Sequence, residues 1–117
     1  MTSENYPNDF TADQTCDAYI RLAGDQKIVL TFEDFELKKY GDWLQIFDTL
    51  VSTIVPLNTF MKFDTLNSME PLTLSGNKGI IRLTSRACPY YSKDCDTGRG
   101  FKIKVGVGKS TIVLLIA

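Results

Sequence analysis

At 117 residues the chain can bury one core but not two, and 44% hydrophobic with 23% charged residues is a globular balance that argues against wholesale disorder. Its 13 basic and 14 acidic residues nearly cancel to a net charge of -1. That balance lacks the surplus of Lys and Arg on which binding to nucleic acid or an anionic membrane surface rests, so neither is an expected partner.

In chain order, Met1 to Glu4 is polar and lacks the charged-then-apolar opening of a secretory signal, so the sequence as written carries no export address. Residues 2–14 show no sustained period and read as a looped entry, with a turn at Asn5, Tyr6, Pro7 and Asn8. Residues 16–22 alternate, Ala18, Ile20 and Leu22 against Asp17, Tyr19 and Arg21, which predicts a first strand. A short polar connection containing Gly24 follows, and then Ile28, Leu30 and Phe32 alternate with Val29, Thr31 and Glu33. A hairpin pairing residues 16–22 with 27–34 is the expectation.

The glycine-bearing polar stretch 36–41 predicts a turn, and Leu44 and Ile46 alternating with Trp43, Gln45 and Phe47 predict the next strand. Residues 50–55 are short and β-branched and end at Pro56, which cannot donate to a central ladder. Within residues 58–70, Phe60, Phe63 and Leu66 recur every third position; a helical turn and a loop anchored by aromatics both fit. Residues 72–74, the turn Ser75-Gly76-Asn77 and residues 80–84 read as strand, turn and strand. In residues 101–105 apolar positions alternate with Lys102 and Lys104, which should point to water. The apolar stretch 111–117 is far shorter than the about 20 residues that span a bilayer, so no membrane insertion is expected; a final strand is the favoured reading. Short strands and glycine turns without a long helical period predict an all-β antiparallel sandwich.

Of the three cysteines, Cys88 and Cys95 enclose a segment suited to a surface loop. A local disulfide, contributing about 2 to 3 kcal/mol by loop entropy, is one reading and a zinc site the other. The disulfide is favoured because the chain has no histidine and three thiols fall short of four zinc ligands. Cys16 then stays unpaired within this chain.

Several stretches resemble the CUB domain, an antiparallel sandwich of extracellular proteins. Ser3 to Asn8 is similar to its opening SPNYPNNY, and Cys16 to Ile20 to its C-x-W-x-I. Leu30 to Leu37 resembles L-x-F-x-D-F-x-L, and Asp42 to Asp48 resembles DYLEIYD. Leu74 to Asn77, Leu83 to Ser85, and Gly100 to Val105, similar to GF-x-I-x-Y, complete the order. The resemblance implies a CUB-like jelly-roll over residues 1–107, lacking its first strand and the cysteine partner of Cys16, with residues 108–117 as an apolar tail or final strand. It further implies that Cys88 pairs with Cys95, because the family's other cysteine position holds Lys or Tyr in Lys38-Lys39-Tyr40. These departures resemble the CUB-like domains of nematode secreted lectin-like proteins.

Many members of the family bind calcium through a Glu and two Asp residues. Here Asp42 is the one retained, the Glu falls at Lys38 and the second Asp near Arg86, so no calcium or other cofactor is expected. Asp42 is then expected to be a solvated loop carboxylate. No catalytic residues are predicted. There is no histidine base, Gly106 to Thr111 lacks the first glycine of a phosphate loop and reads as a strand-end turn, and the neighbours Glu33 and Asp34 should face opposite sides of a strand. A pair at Asp94 and Asp96 keeps a small carboxylate-dependent hydrolase as the alternative. Tyr40, Trp43, Tyr90 and Tyr91, in or beside loops, are the candidate binding residues for a protein or glycan. The expectation is a non-catalytic extracellular interaction module, part of a larger secreted protein; a degenerate structural domain without a ligand is the third reading.

Overall fold

The computed structural model describes residues 1–50, 55–88 and 96–108. These residues form seven strands: β1 (Gln14–Arg21), β2 (Lys27–Glu36), β3 (Trp43–Phe47), β4 (Asn58–Phe60), β5 (Leu72–Thr73), β6 (Lys78–Ser85) and β7 (Gly100–Gly108). They assemble into a four-stranded sheet of order β1-β6-β3-β4 and a three-stranded sheet of order β5-β2-β7, with antiparallel neighbours throughout. The all-β antiparallel sandwich expected from the sequence is therefore present.

The core forms where the inward positions of both sheets meet. Ile20, Leu44, Ile46, Phe60, Ile81 and Leu83 from one sheet pack with Ile28, Leu30, Phe32, Phe35, Phe101 and Ile103 from the other. Leu30, Leu44, Ile46 and Ile103 are wholly shielded from solvent, while Lys102 and Lys104 alternate outward on β7 as their sequence period requires. Phe60 takes Phe32 edge-on at 5.1 Å between ring centroids, so the short β4 contributes a core anchor.

One irregularity preserves this pattern. On β2, Phe32 stands opposite Ile103 but Asp34 opposite Lys102, so Glu33 is an extra residue in a β-bulge. The bulge resets the alternation: Ile28, Leu30 and Phe32 precede it in the core and Phe35 follows it there. Asp34 is turned out of the core, where Arg99 meets it.

The expected hairpin between residues 16–22 and 27–34 is not formed. β1 pairs along its whole length with β6, from Gln14 opposite Ser85 to Arg21 opposite Lys78, whereas β2 pairs with β5 and β7. The glycine connection turns sharply, with Gly24 at φ 62° and Asn77 Nδ2 donating to the Leu22 and Gly24 carbonyls, but it passes from one sheet to the other. This places Ile20 and Ile28 in the two opposite sheets of one core rather than side by side in a hairpin. Residues 58–70 resolve into β4 and a single 3₁₀ turn over Leu66–Ser68, with Phe63 exposed rather than anchored. Gly106, Val107 and Gly108 belong to β7, not to a strand-end turn. Most of the expected strand at 50–55, and all of the tail 111–117, lie outside the described residues.

The N-terminus runs antiparallel along β7. Ser3 N–H donates to the Phe101 carbonyl at 3.0 Å, and Ile103 N–H donates to that of Met1 at 2.8 Å. Gly100, at φ 82°, makes room for this: a Cβ there would stand 2.0 Å from Ser3 Oγ. The expected turn follows, closed by Asn8 N–H donating to the Asn5 carbonyl at 2.7 Å.

Candidate functional site

The connection between β2 and β3 leaves the three-stranded sheet and enters the four-stranded one, so its residues form a corner of the sandwich. Lys38 N–H donates to the Thr97 carbonyl at 3.0 Å, fixing the start of the corner to the segment before β7. Gly41 adopts φ 89°, and the Arg86 side chain packs where its Cβ would be, 2.6 Å from Cδ. A side chain at position 41 would both strain the backbone and displace Arg86.

Asp42 ends this corner and is buried, with 1% of its surface exposed. The expected solvated loop carboxylate is thereby corrected. Oδ1 accepts from Lys39 Nζ at 2.6 Å and from Arg86 N–H at 3.0 Å, and Oδ2 accepts from Ser85 Oγ at 3.0 Å. Lys39 is itself 7% exposed, and its ammonium also donates to the Arg86 carbonyl. A buried charge is tolerated when it is paired and hydrogen-bonded, and both conditions are met. The physical reason for the correction is the lysine: it supplies an internal counter-ion that allows the carboxylate to leave water.

Beside this buried pair the surface is aromatic. Tyr40 is 75% exposed and meets Phe63, 74% exposed, edge-on at 6.1 Å between centroids. Trp43 begins β3 opposite Thr84 and is half-buried. Tyr90 and Tyr91, like Cys95 and hence the expected Cys88–Cys95 pairing, lie outside the described residues. Cys16 is an exposed free thiol on β1. Three residues of this corner, Phe63, Lys39 and Ser85, were not marked as site residues by sequence. Lys39 stands three positions before Asp42, and that spacing was its available signal.

The carboxylates considered for hydrolysis are differently placed. Glu33 is exposed on the bulge, while Asp34 takes two hydrogen bonds from Arg99, each 3.0 Å, and one from the Tyr6 hydroxyl at 2.7 Å. These bonds, the Arg99 ones foremost, hold the Asp34 carboxyl well below the usual range, at about 2. Asp34 is therefore ionised at neutral pH and unsuited to be a general acid. Asp94 lies outside the described residues. Among the described residues no three His, Cys, Asp or Glu side chains gather as a metal-binding group. Calcium takes six to eight oxygen ligands, whereas Asp42 accepts hydrogen bonds from protein donors on both of its oxygens, the Lys39 ammonium among them. No helix of the described residues is long and apolar enough to cross a membrane.

Two antiparallel sheets joined by a pinned corner, with exposed rings beside it, define the class of the protein as an antiparallel β-sandwich. The CUB domain model matches residues 1–104, and the chain belongs to that family, whose members are typically extracellular interaction modules without enzymatic activity. It is 30% identical to cubilin of Canis lupus familiaris over 100 residues, 86% of this chain, and 29% identical to cubilin of Homo sapiens over 83 residues, 71% of this chain. The chain spans 2% of the length of each of these curated relatives. Among solved structures, the CUB1-EGF-CUB2 region of human MASP-1/3 superposes with a TM-score of 0.72 at 19% identity, covering 92% of this chain and 40% of that one. The full extracellular region of zebrafish Gpr126/Adgrg6 gives a TM-score of 0.67 at 22% identity, covering 92% of this chain and 13% of that one.

Proposed function

We propose that this chain is a non-catalytic, extracellular interaction module that binds a protein or glycan through the β2–β3 corner, as one part of a larger secreted protein. The observation that carries this reading is the exposed Tyr40–Phe63 pair beside a rigidly bonded corner. Exposed rings held in place offer apolar and stacking area with little conformational entropy left to lose on binding. Trp43 lies next to the corner, and Tyr90 and Tyr91 are further proposed contact residues on the ground of their sequence alone. A disulfide between Cys88 and Cys95 would hold the latter loop, and peptide mapping under non-reducing conditions tests it.

The test of function is a glycan array together with a library of displayed ectodomains, probed first with the wild-type domain. Hits should weaken by about ten-fold to a hundred-fold in Tyr40→Ala and in Phe63→Ala. Hits that are indifferent to both substitutions and to Tyr90→Ala and Tyr91→Ala would move the contact elsewhere on the sandwich, and a wild-type domain with no hits would favour a structural domain without a ligand.

A further inference from the structure

We propose that the Lys39 ammonium is a tethered cation that holds the β2–β3 corner in place of a bound metal, so that this end of the sandwich is ordered without any divalent ion. Two oxygens from different parts of the chain converge on Nζ, Asp42 Oδ1 and the Arg86 carbonyl. A carboxylate and a carbonyl are the ligand types that a hard cation selects, yet here the cation is a side chain. Its reach is what a bound ion would otherwise supply: one positive charge joins the corner between the two sheets to the residue following β6. Ser85 Oγ and Arg86 N–H satisfy the rest of the carboxylate, and no buried side-chain nitrogen or oxygen among the described residues is left without a partner.

The bonds also fix what the corner displays. Tyr40 and Gly41 lie between the two members of the ion pair, so the backbone carrying the exposed ring is clamped on both sides. This second consequence rests on the contact surface proposed above; the melting experiment below needs no ligand and stands apart from it.

The experiment is thermal melting of the wild-type domain and of Lys39→Met and Lys39→Ala, each with calcium chloride, magnesium chloride or EDTA. Lys39→Met keeps most of the apolar stem and removes the charge, leaving the buried Asp42 without its ion-pair partner. We expect a wild-type midpoint that is the same with millimolar calcium, magnesium and EDTA, and a fall of about 10 °C or more in Lys39→Met. Propylammonium, which replaces the atoms missing from Lys39→Ala, should recover part of the loss in that variant, and propanol should not. If Lys39→Met fails to fold, the wild-type titration and the propylammonium arm still decide. A wild-type midpoint raised by calcium and not by magnesium would overturn the proposal. So would a Lys39→Met protein that melts with the wild type, or a Lys39→Ala protein rescued equally by propanol.

Discussion

Tyr6 donates its hydroxyl to Asp34 Oδ2 at 2.7 Å, tying the N-terminal entry to the outward side of β2 just past the bulge. Arg99 grips the same carboxylate through Nε and Nη2 and reaches Glu36 through Nη1 at 2.9 Å. Three segments distant in sequence thus meet on one carboxylate.

That carboxylate sets an acid limit to stability. Its pKa is depressed from the ordinary 3.8 to about 2, with the Arg99 hydrogen bonds as the leading cause. A depressed acid contributes stability that is fully present above its unfolded pKa and is lost as pH falls through the folded one. Melting midpoints should therefore decline between about pH 4 and pH 2. Asp17, lowered chiefly by its hydrogen bonds from Arg82, adds to the same limb. Asp34→Asn should melt lower at pH 7 and show a shallower decline in that window; an unchanged slope would assign the limb to other carboxylates.

Position 100, buried beneath the N-terminal segment, should be among the least tolerant in the sandwich. Gly100→Ala places a Cβ 2.0 Å from Ser3 Oγ on a backbone at φ 82°, so a loss of about 2 to 4 kcal/mol is expected in urea unfolding. Gly76→Ala is the control, because nothing lies within 4 Å of a Cβ there, and its midpoint should stay within about 1 kcal/mol of wild type.

Core and display positions should separate cleanly. Ile46→Ala removes a side chain with no exposed surface and should cost about 2 to 5 kcal/mol. Tyr40→Ala and Phe63→Ala remove exposed rings and should change stability by no more than about 1 kcal/mol. Chemical denaturation of the three variants checks this, and stable aromatic variants are what make the binding test above interpretable.

Arg82 should not be replaceable by lysine. Its fork meets Asp17 at 2.7 and 2.8 Å while the guanidinium carbon lies 5.2 Å over the Phe47 ring, a combination that needs a flat cation. Arg82→Lys should lose about 1 kcal/mol, measured by denaturation at low and high salt.

The sandwich was legible because alternation reports burial directly: Ile28, Leu30 and Phe32, or Phe101 and Ile103, announce one shielded face. Alternation does not say which strand lies alongside, and so it points from β1 to the neighbouring β2 rather than to β6, whose partner residues run from Lys78 opposite Arg21 to Ser85 opposite Gln14, far along the sequence. β4 has three residues, too few to show a period. At the corner, Lys39 and Asp42 were visible as residues, but their burial depends on the Arg86 carbonyl, 47 positions beyond Lys39. The solvation of a charge is decided by such distant partners, which local pattern does not contain.

The bulge at Glu33 has a further consequence, for how the sequence can change in length. It works as a spacer between two reading frames of the same strand, one ending at Phe32 and the other resuming at Phe35. Exchanging Glu33 for another polar residue leaves both frames intact. Removing it would close the bulge: Phe32 opposite Ile103 and Asp34 opposite Lys102 are already successive pairs along β7, so Phe32 and Phe35 would keep both their inward faces and their register. A one-residue deletion here is tolerated where one elsewhere in β2 would not be.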